Sequence, residues 1–435
     1  MKQVFKLLSI VCVWLLMYTN TAYAQLSPYD ENAPVGWASI GLSGGCTGSN
    51  DQNPVVVSSE DELRDALKVV KGGKSSVTIY ISGNIEVKEK LRYDKTANCT
   101  IYGLPGSSLY NRYHNENPDS AGFFSCSGWK NVIFRNLTLL GAGAYDISAM
   151  DNIQLSGCEN IWIDHCDIQD GVDGNLDAKD KSDKITVSWC KFSYFIAPWP
   201  KEGESEDHRC SSMWGSGNDR GDDEGKLNST FVNCWWYHGC GQRCPRIRFG
   251  KVHIANCLWE NGTDDDPAQY CVGVGHSSKL YIENGDFSNT VVSNNHLEYY
   301  LTKQNVYHFT VTGCIGEEDR QEKGKGYTGD YYNPYSDNEY KCRVYDSRMV
   351  ASLLKDPQTG AGATLDEDLL TTRGNDNYGG STTSIQGVSA TDEASVVDIG
   401  YYDTSGIRHT TPQKGLNIIR FLMSDGTTRT QKMFK

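Results

Sequence analysis

The feature that most restricts this chain is a loose internal repeat through its middle. Six segments share one outline: Asn131-Val-Ile-Phe-Arg-Asn136, Asn160-Ile-Trp-Ile-Asp-His165, Lys184-Ile-Thr-Val-Ser-Trp189, Asn228-Ser-Thr-Phe-Val-Asn233, Lys251-Val-His-Ile-Ala-Asn256 and Lys279-Leu-Tyr-Ile-Glu-Asn284. Counted from their sixth residues, successive copies lie 29, 24, 44, 23 and 28 residues apart. Each is a short, mostly apolar stretch ending in a polar or aromatic residue, often Asn. Strands this short cannot bury a face alone, so the period predicts a solenoid whose coils stack at about 4.8 Å per rung. Asn side chains at equivalent turns can then hydrogen-bond along the stack.

The alignment puts Cys166, Cys190, Cys234 and Cys257 at one equivalent position. In register they form an interior column of small buried thiols rather than a set of disulfides. The 44-residue step predicts a functional surface loop near 197–226, carrying Pro198-Trp199-Pro200 and the acidic, glycine-rich run from Gly215 to Gly225. Ahead of the repeat, Val55-Val56-Val57 reads as a strand and Ser59-Glu60-Asp61-Glu62 as a capping box. Leu63, Ala66, Leu67 and Val70 then follow on one helical face, and Gly72-Gly73 stops the helix. After about Asn333 the repeat fades. Residues 373–388 read as a Gly/Ser/Thr/Asn-rich linker, and 389–435 alternate as a small β-module.

Residues 1–24 have the form of a secretory signal peptide, with Lys2 and Lys6, an apolar run from Leu7 to Tyr18, and Ala22-Tyr23-Ala24 for cleavage. The run is too short for a membrane span, so the expected product is secreted, periplasmic or surface-located, and the main domain is expected over 25–372. The formal charge of −14 disfavours nucleic acid, whose affinity comes from neutralising phosphate. An acidic substrate would need a local basic cluster or bound cations to draw it in.

Three constellations could carry chemistry. Asp173-Gly-Asn-Leu-Asp177 sets two carboxylates four apart around a glycine, and with Asp151 upstream could turn oxygens toward one hard cation. From spacing alone, ordinary acidic loops remain the simpler account. Arg243-Cys-Pro-Arg-Ile-Arg248 concentrates guanidinium groups, suited to forked recognition of carboxylates, in an otherwise negative chain. Strand alternation would send Arg246 and Arg248 to one face. Trp199, Trp214, Trp235 and Trp236 could stack on sugar rings or fill a core. Cys240 and Cys244 flank Arg243 closely enough for a bracing disulfide.

From about Gly36 to His296 the chain resembles the calcium-dependent pectate lyases. The resemblance rests on Trp162-Ile-Asp-His165, on Asp173 to Asp177, and on Arg243 to Arg248 followed by Gly250-Lys-Val-His-Ile-Ala-Asn256. It implies an all-β fold, a right-handed parallel β-helix with an N-terminal capping helix and a small C-terminal β-module. It also implies Ca2+ on Asp151, Asp173 and Asp177, with Arg243 as the base taking a proton from C5 of a galacturonate and Arg248 gripping the substrate carboxylate. The family lysine that contacts substrate has no evident counterpart; Arg209 is the expected replacement, with Lys201 second and Trp214 as a further substrate contact. The final segment resembles the C-terminal sorting domains of exported bacterial proteins handled by the type IX secretion system.

The implied reaction is β-elimination on (1,4)-linked galacturonan, giving unsaturated oligogalacturonides. The partner is pectic polysaccharide (polygalacturonate), and a monomer is expected. Its difficulty is that a carboxylate resists gaining a second charge, which a bridging cation and arginines relieve. An arginine base runs against the rule that guanidinium stays protonated. Rival readings are a metal-free pectin lyase on methyl-esterified chains, a β-helical glycoside hydrolase using paired carboxylates, and a non-catalytic pectin-binding solenoid.

Overall fold

The computed structural model describes residues 33–365, apart from 44, 52, 113–119, 146–150, 200–206 and 300–305, together with the strands between 396 and 434. The expected signal peptide (1–24) and linker (373–388) lie outside the described residues. The chain divides into two compact units, residues 1–381 and 382–435.

The first unit winds through three sheets in turn. Its first sheet has eleven strands, running from Val55–Val57 through Val77–Ile81, Ala97–Gly103 and all six repeat segments to Tyr307–Thr312 and Arg320–Lys323. Every pairing in it is parallel except the last, where Arg320–Lys323 closes the end antiparallel. Seven short strands make the second sheet and eight the third. The result is the right-handed parallel β-helix that the repeat and the resemblance implied.

The repeat's Asn bias has a backbone cause. All six of the sixth residues sit in the left-handed region: φ is 55° at Asn136, 47° at His165, 51° at Trp189, 57° at Asn233, 52° at Asn256 and 50° at Asn284. Asn tolerates this conformation better than other side-chain-bearing residues, and one such residue turns the chain from the first sheet into the second. The amides also tie rungs together, as where Asn256 Nδ2 donates to Asn233 Oδ1 at 2.9 Å. The next residue points inward. Cys166, Cys190, Cys234 and Cys257 are buried free thiols there, as the alignment implied. Cys240 and Cys244 are likewise free and buried, so the suggested bracing disulfide is not formed; the Cys244 thiol faces the Cys240 carbonyl instead. Along the second sheet an aromatic ladder, Phe192–Trp236–Trp259–Phe287, stacks with centroids 5.7, 5.3 and 3.9 Å apart.

Helix α1 (Glu60–Val70) packs Leu63, Ala66, Leu67 and Val70 into the core beside the first strands. Ser59 accepts the Glu62 N–H, while the Glu62 carboxylate reaches back to the Ser58 N–H at 2.7 Å. At the other end, residues 333–365 return along the solenoid and use the turn asparagines as hooks. Asn256 bonds the Arg343 carbonyl and the Tyr345 N–H, and Asn136 accepts the Leu365 N–H at 2.9 Å. Helix α2 (Ser347–Leu354) on this strap packs Val350 and Leu354 against Leu258.

The 44-residue step is not one loop. Strand Ser212–Trp214 of the third sheet runs through its middle, with residues 194–199 and 207–211 before it and 215–228 after it outside the strands. The second unit is a four-stranded antiparallel sheet of Val396–Tyr402, Arg408–His409, Leu416–Met423 and Thr428–Phe434. Among the described residues no helix is long and apolar enough to cross a membrane.

Candidate functional site

Loops passing from the second sheet to the third bring Asp151, Asp173, His208 and Arg243 to adjacent rungs, because each precedes a third-sheet strand by a few residues. Register does the rest. Gln154, Asp177, Met213 and Arg246 are Cα partners in successive strands, so they form one row across the sheet. Leu176 and Ala178 on either side of Asp177 belong to the core, which turns Asp177 the other way.

Two of the aspartates converge. A Cβ added to Gly174 would stand 2.6 Å from Asp151 Oδ1 and 3.4 Å from Asp177 Oδ1, with the Cys210 carbonyl oxygen at 3.5 Å. Glycine thus keeps open a small oxygen-lined cradle. Asp151 is 3 % exposed; its Oδ2 accepts from Gln154 at 3.0 Å, but its buried Oδ1 has no hydrogen-bond partner. Asp177 Oδ1 accepts the Met213 N–H at 2.9 Å. Burial, then Asp177 and Asp173, push the Asp151 carboxyl well above the ordinary range; burial and Asp173 raise Asp177 to about 7. Burial and mutual repulsion both favour the neutral forms of these carboxyls. Asp173 is partly diverted: its Oδ1 meets His208 Nε2 at 2.8 Å. Among the described residues no three such side chains close on a single point as they stand; the donor chemistry and the orphaned oxygen fit a hard cation nonetheless.

The guanidinium groups stand beside these carboxylates, further along the same row. Arg243, in the left-handed region at φ 58°, directs Nη1 to Met213 Sδ at 3.8 Å, while its buried Nε has no hydrogen-bond partner. Burial would lower this guanidinium, but Cys210, Asp177 and Asp173 more than offset it and hold it above its usual value. Arg248 behaves oppositely. Burial, then Arg246 and Arg243, pull it down to about 10, and it donates to Asn218 Oδ1 at 3.0 Å and to the Gly215 carbonyl at 2.5 Å. That Arg246 and Arg243 both act on Arg248 puts three guanidinium groups close together on one segment of the third sheet.

A sequence model described as pectate lyase matches residues 14–364. The chain belongs to the pectate lyase family. It is similar to a probable pectate lyase B of Aspergillus terreus, 33% identical over 239 residues that cover 53% of this chain and 63% of the relative. It is also similar to a pectate trisaccharide-lyase of Thermotoga maritima, 29% identical over 263 residues, 58% of this chain and 63% of that one. The chain therefore spans less than two thirds of the length of these curated relatives. A solved pectate lyase bound to hexasaccharide shares the fold with TM-score 0.55 at 21% identity, covering 79% of this chain and 100% of that one.

Within this pectate lyase family chain, the structure brings together Asp151, Asp173, Asp177, Arg243 and Arg248. Trp214 is a correction. It is fully buried, donates Nε1–H to Ser229 Oγ at 2.7 Å and packs edge-on against Phe231, so it cannot receive a sugar. Arg209 is another. Its guanidinium is spent on Asp207 and Asp266, the latter at 2.7 Å, and clamps two loops instead of awaiting a substrate. Lys201 lies outside the described residues. His208 and Met213 are the residues that sequence reasoning missed: burial works against the His208 imidazolium, but Asp173 and Cys210 push it up to about 11, and Met213 links Asp177 to Arg243.

Proposed function

We propose that this protein is a secreted, calcium-dependent pectate lyase that cleaves (1,4)-linked galacturonan by β-elimination, with Arg243 as the base. The observation carrying the reading is the juxtaposition of two kinds of buried charge: carboxylates gathered around Gly174, and guanidinium groups crowded beside them. Calcium on Asp151 and Asp177, with Asp173 beside them, would neutralise the uronate carboxylate and acidify the proton on the adjacent carbon.

The chain's own residues supply the remainder. Arg248 and Arg246 offer the positive field that a −14 chain otherwise lacks, and so orient the carboxylate of the reacting sugar. Met213 fixes the spacing between Asp177 and Arg243 by holding one with its N–H and the other with its sulfur. Arg243 Nε, buried without a partner, is a guanidinium position not satisfied by the protein itself. A guanidinium is protonated in its own right, and the anionic neighbours of Arg243, Asp177 and Asp173 among them, hold it higher still; engaging those carboxylates elsewhere removes that part of the barrier to the neutral form a base needs. The hexasaccharide in the related solved structure supports an extended polymer as substrate. The signal-like leader supports export, and the terminal β-module supports a sorting role.

The test is incubation with polygalacturonate, with calcium and with chelator, while following ultraviolet absorbance of unsaturated ends. Wild type should be active only with calcium, and Arg243→Lys should lose at least 10²-fold in turnover. Saturated products, or full activity on esterified pectin in chelator, would overturn the reading.

A further inference from the structure

The four tryptophans near the site have different fates. Trp214 and Trp236 are fully buried, and half-buried Trp235 lies under Lys191 and Lys355. Trp199 is 38% exposed. Its indole stacks on Tyr145 with centroids 4.5 Å apart and planes at 29°, and Tyr145 itself is buried. The backbone holds the pair firmly: the Trp199 N–H donates to the Ala144 carbonyl and the Tyr145 N–H to the Val172 carbonyl, both at 2.8 Å. The start of the Trp199 loop is pinned too, with Phe195 and Ile196 N–H groups on Asp170 Oδ1 at 2.7 and 3.0 Å, and Asp170 paired with Arg112.

These anchors belong to the rungs that carry the site. Tyr145 precedes Asp151 by six residues in the chain, and Val172 is the neighbour of Asp173. Phe195, 50% exposed, extends the surface to His238, stacked on it at 5.4 Å, and His238 lies on the loop of Arg243. Two aromatic pairs, Tyr145–Trp199 and Phe195–His238, therefore lie on the succession of loops that carries the charged row. We propose that Trp199 forms a sugar-stacking subsite that receives a pyranose ring of the bound uronan, away from the ring whose carboxylate meets the arginines.

The chemistry is complementary. A pyranose has a face of C–H groups carrying slight positive charge, which suits the negative face of an indole. The polymer's carboxylates project from the ring edge and go to the arginines. An uncharged platform adds affinity for a polyanion without the repulsion that an acidic chain otherwise presents. Tyr145 behind it limits the movement of the indole, so little freedom is lost on binding.

This inference rests on the lyase reading, and its test separates the two. Affinity for a galacturonate hexamer is measured by calorimetry in Arg243→Ala, with and without Trp199→Ala, and polygalacturonate kinetics are measured for Trp199→Ala and Trp199→Phe. The subsite requires about tenfold weaker binding on loss of the indole, roughly 1.4 kcal/mol, a loss in KM rather than kcat, and substantial recovery with Phe. Equal hexamer affinity with and without Trp199 overturns it, as does a loss confined to kcat. Should wild type form no unsaturated product, the lyase reading fails while the binding arm still reports on the subsite. If Trp199→Ala does not fold, the Phe and His replacements supply the same comparison.

Discussion

Asp151 is buried with one carboxylate oxygen unsatisfied and two further carboxylates raising its proton affinity. A group in that position destabilises the metal-free fold, because its ionised form is neither hydrated nor paired. Asp151→Asn removes the charge and keeps the shape. The expected result is a metal-free protein that melts at the same temperature as wild type or above it, and that gains little on adding calcium. Wild type should gain by mass action, about 2.7 kcal/mol at a hundredfold excess over Kd. Melting curves in chelator and in calcium check both halves; an Asn variant still stabilised by calcium as strongly as wild type would remove Asp151 from the site. Asp173 and Asp177 stood out as a compact run with a glycine between them, but spacing alone left them as ordinary acidic loops, and their cation role, with Asp151, came from the resemblance. The His208 contact was not legible, since 35 residues separate it from Asp173 and only coil stacking joins them. Trp214 misled for a related reason. Ser212–Trp214 looked like loop, and once it is a strand, alternation sends Trp214 inward and Met213 to the site.

At the level of strands, the repeat was readable because each coil reuses one backbone solution, a left-handed residue followed by an inward one. The closing end has no repeat and was not readable. There, His308 on Tyr307–Thr312 is flanked in register by Lys279 and Lys323, and its Nε2 accepts the Tyr332 N–H at 2.8 Å. Burial, then the two lysines, lowers it from 6.5 to about 4. Between those values the unfolded chain binds a proton that the folded chain refuses. This contribution to stability is therefore complete above about pH 6.5 and is lost as pH falls toward 4. It amounts to on the order of 2 kcal/mol after allowing for partial solvation. His308→Gln, which keeps an acceptor for Tyr332, should flatten the fall in denaturation midpoint between pH 6.5 and 4. Identical slopes for the two proteins would show that other groups carry it.

Over the whole molecule, the strap formed by residues 333–365 is where the solenoid is completed, and the second unit is not needed for that. Tyr340 is buried, with its hydroxyl 2.7 Å from Thr230 Oγ1 and 2.8 Å from His253 Nδ1, three coils into the body. Val350 and Leu354 cover Leu258, and Asn136 receives the strap's last described residues. Burying these side chains contributes about 1.5–3 kcal/mol each, a sum comparable with the net stability of a typical domain. The turn asparagines would also lose partners they meet nowhere else in the first unit. A chain ending at residue 381 should therefore keep the wild-type melting temperature and the rate of unsaturated-product release. One ending at residue 332 should melt more than 10 °C lower or fail to accumulate in soluble form, since a loss of 5 kcal/mol or so outweighs most of what a fold has to spare. If the shorter chain melts with the longer one, the strap is decoration and the solenoid is closed by Arg320–Lys323 alone. If the chain ending at residue 381 loses stability, residues 382–435 take part in the fold of the first unit, and the division between 381 and 382 is not a folding boundary.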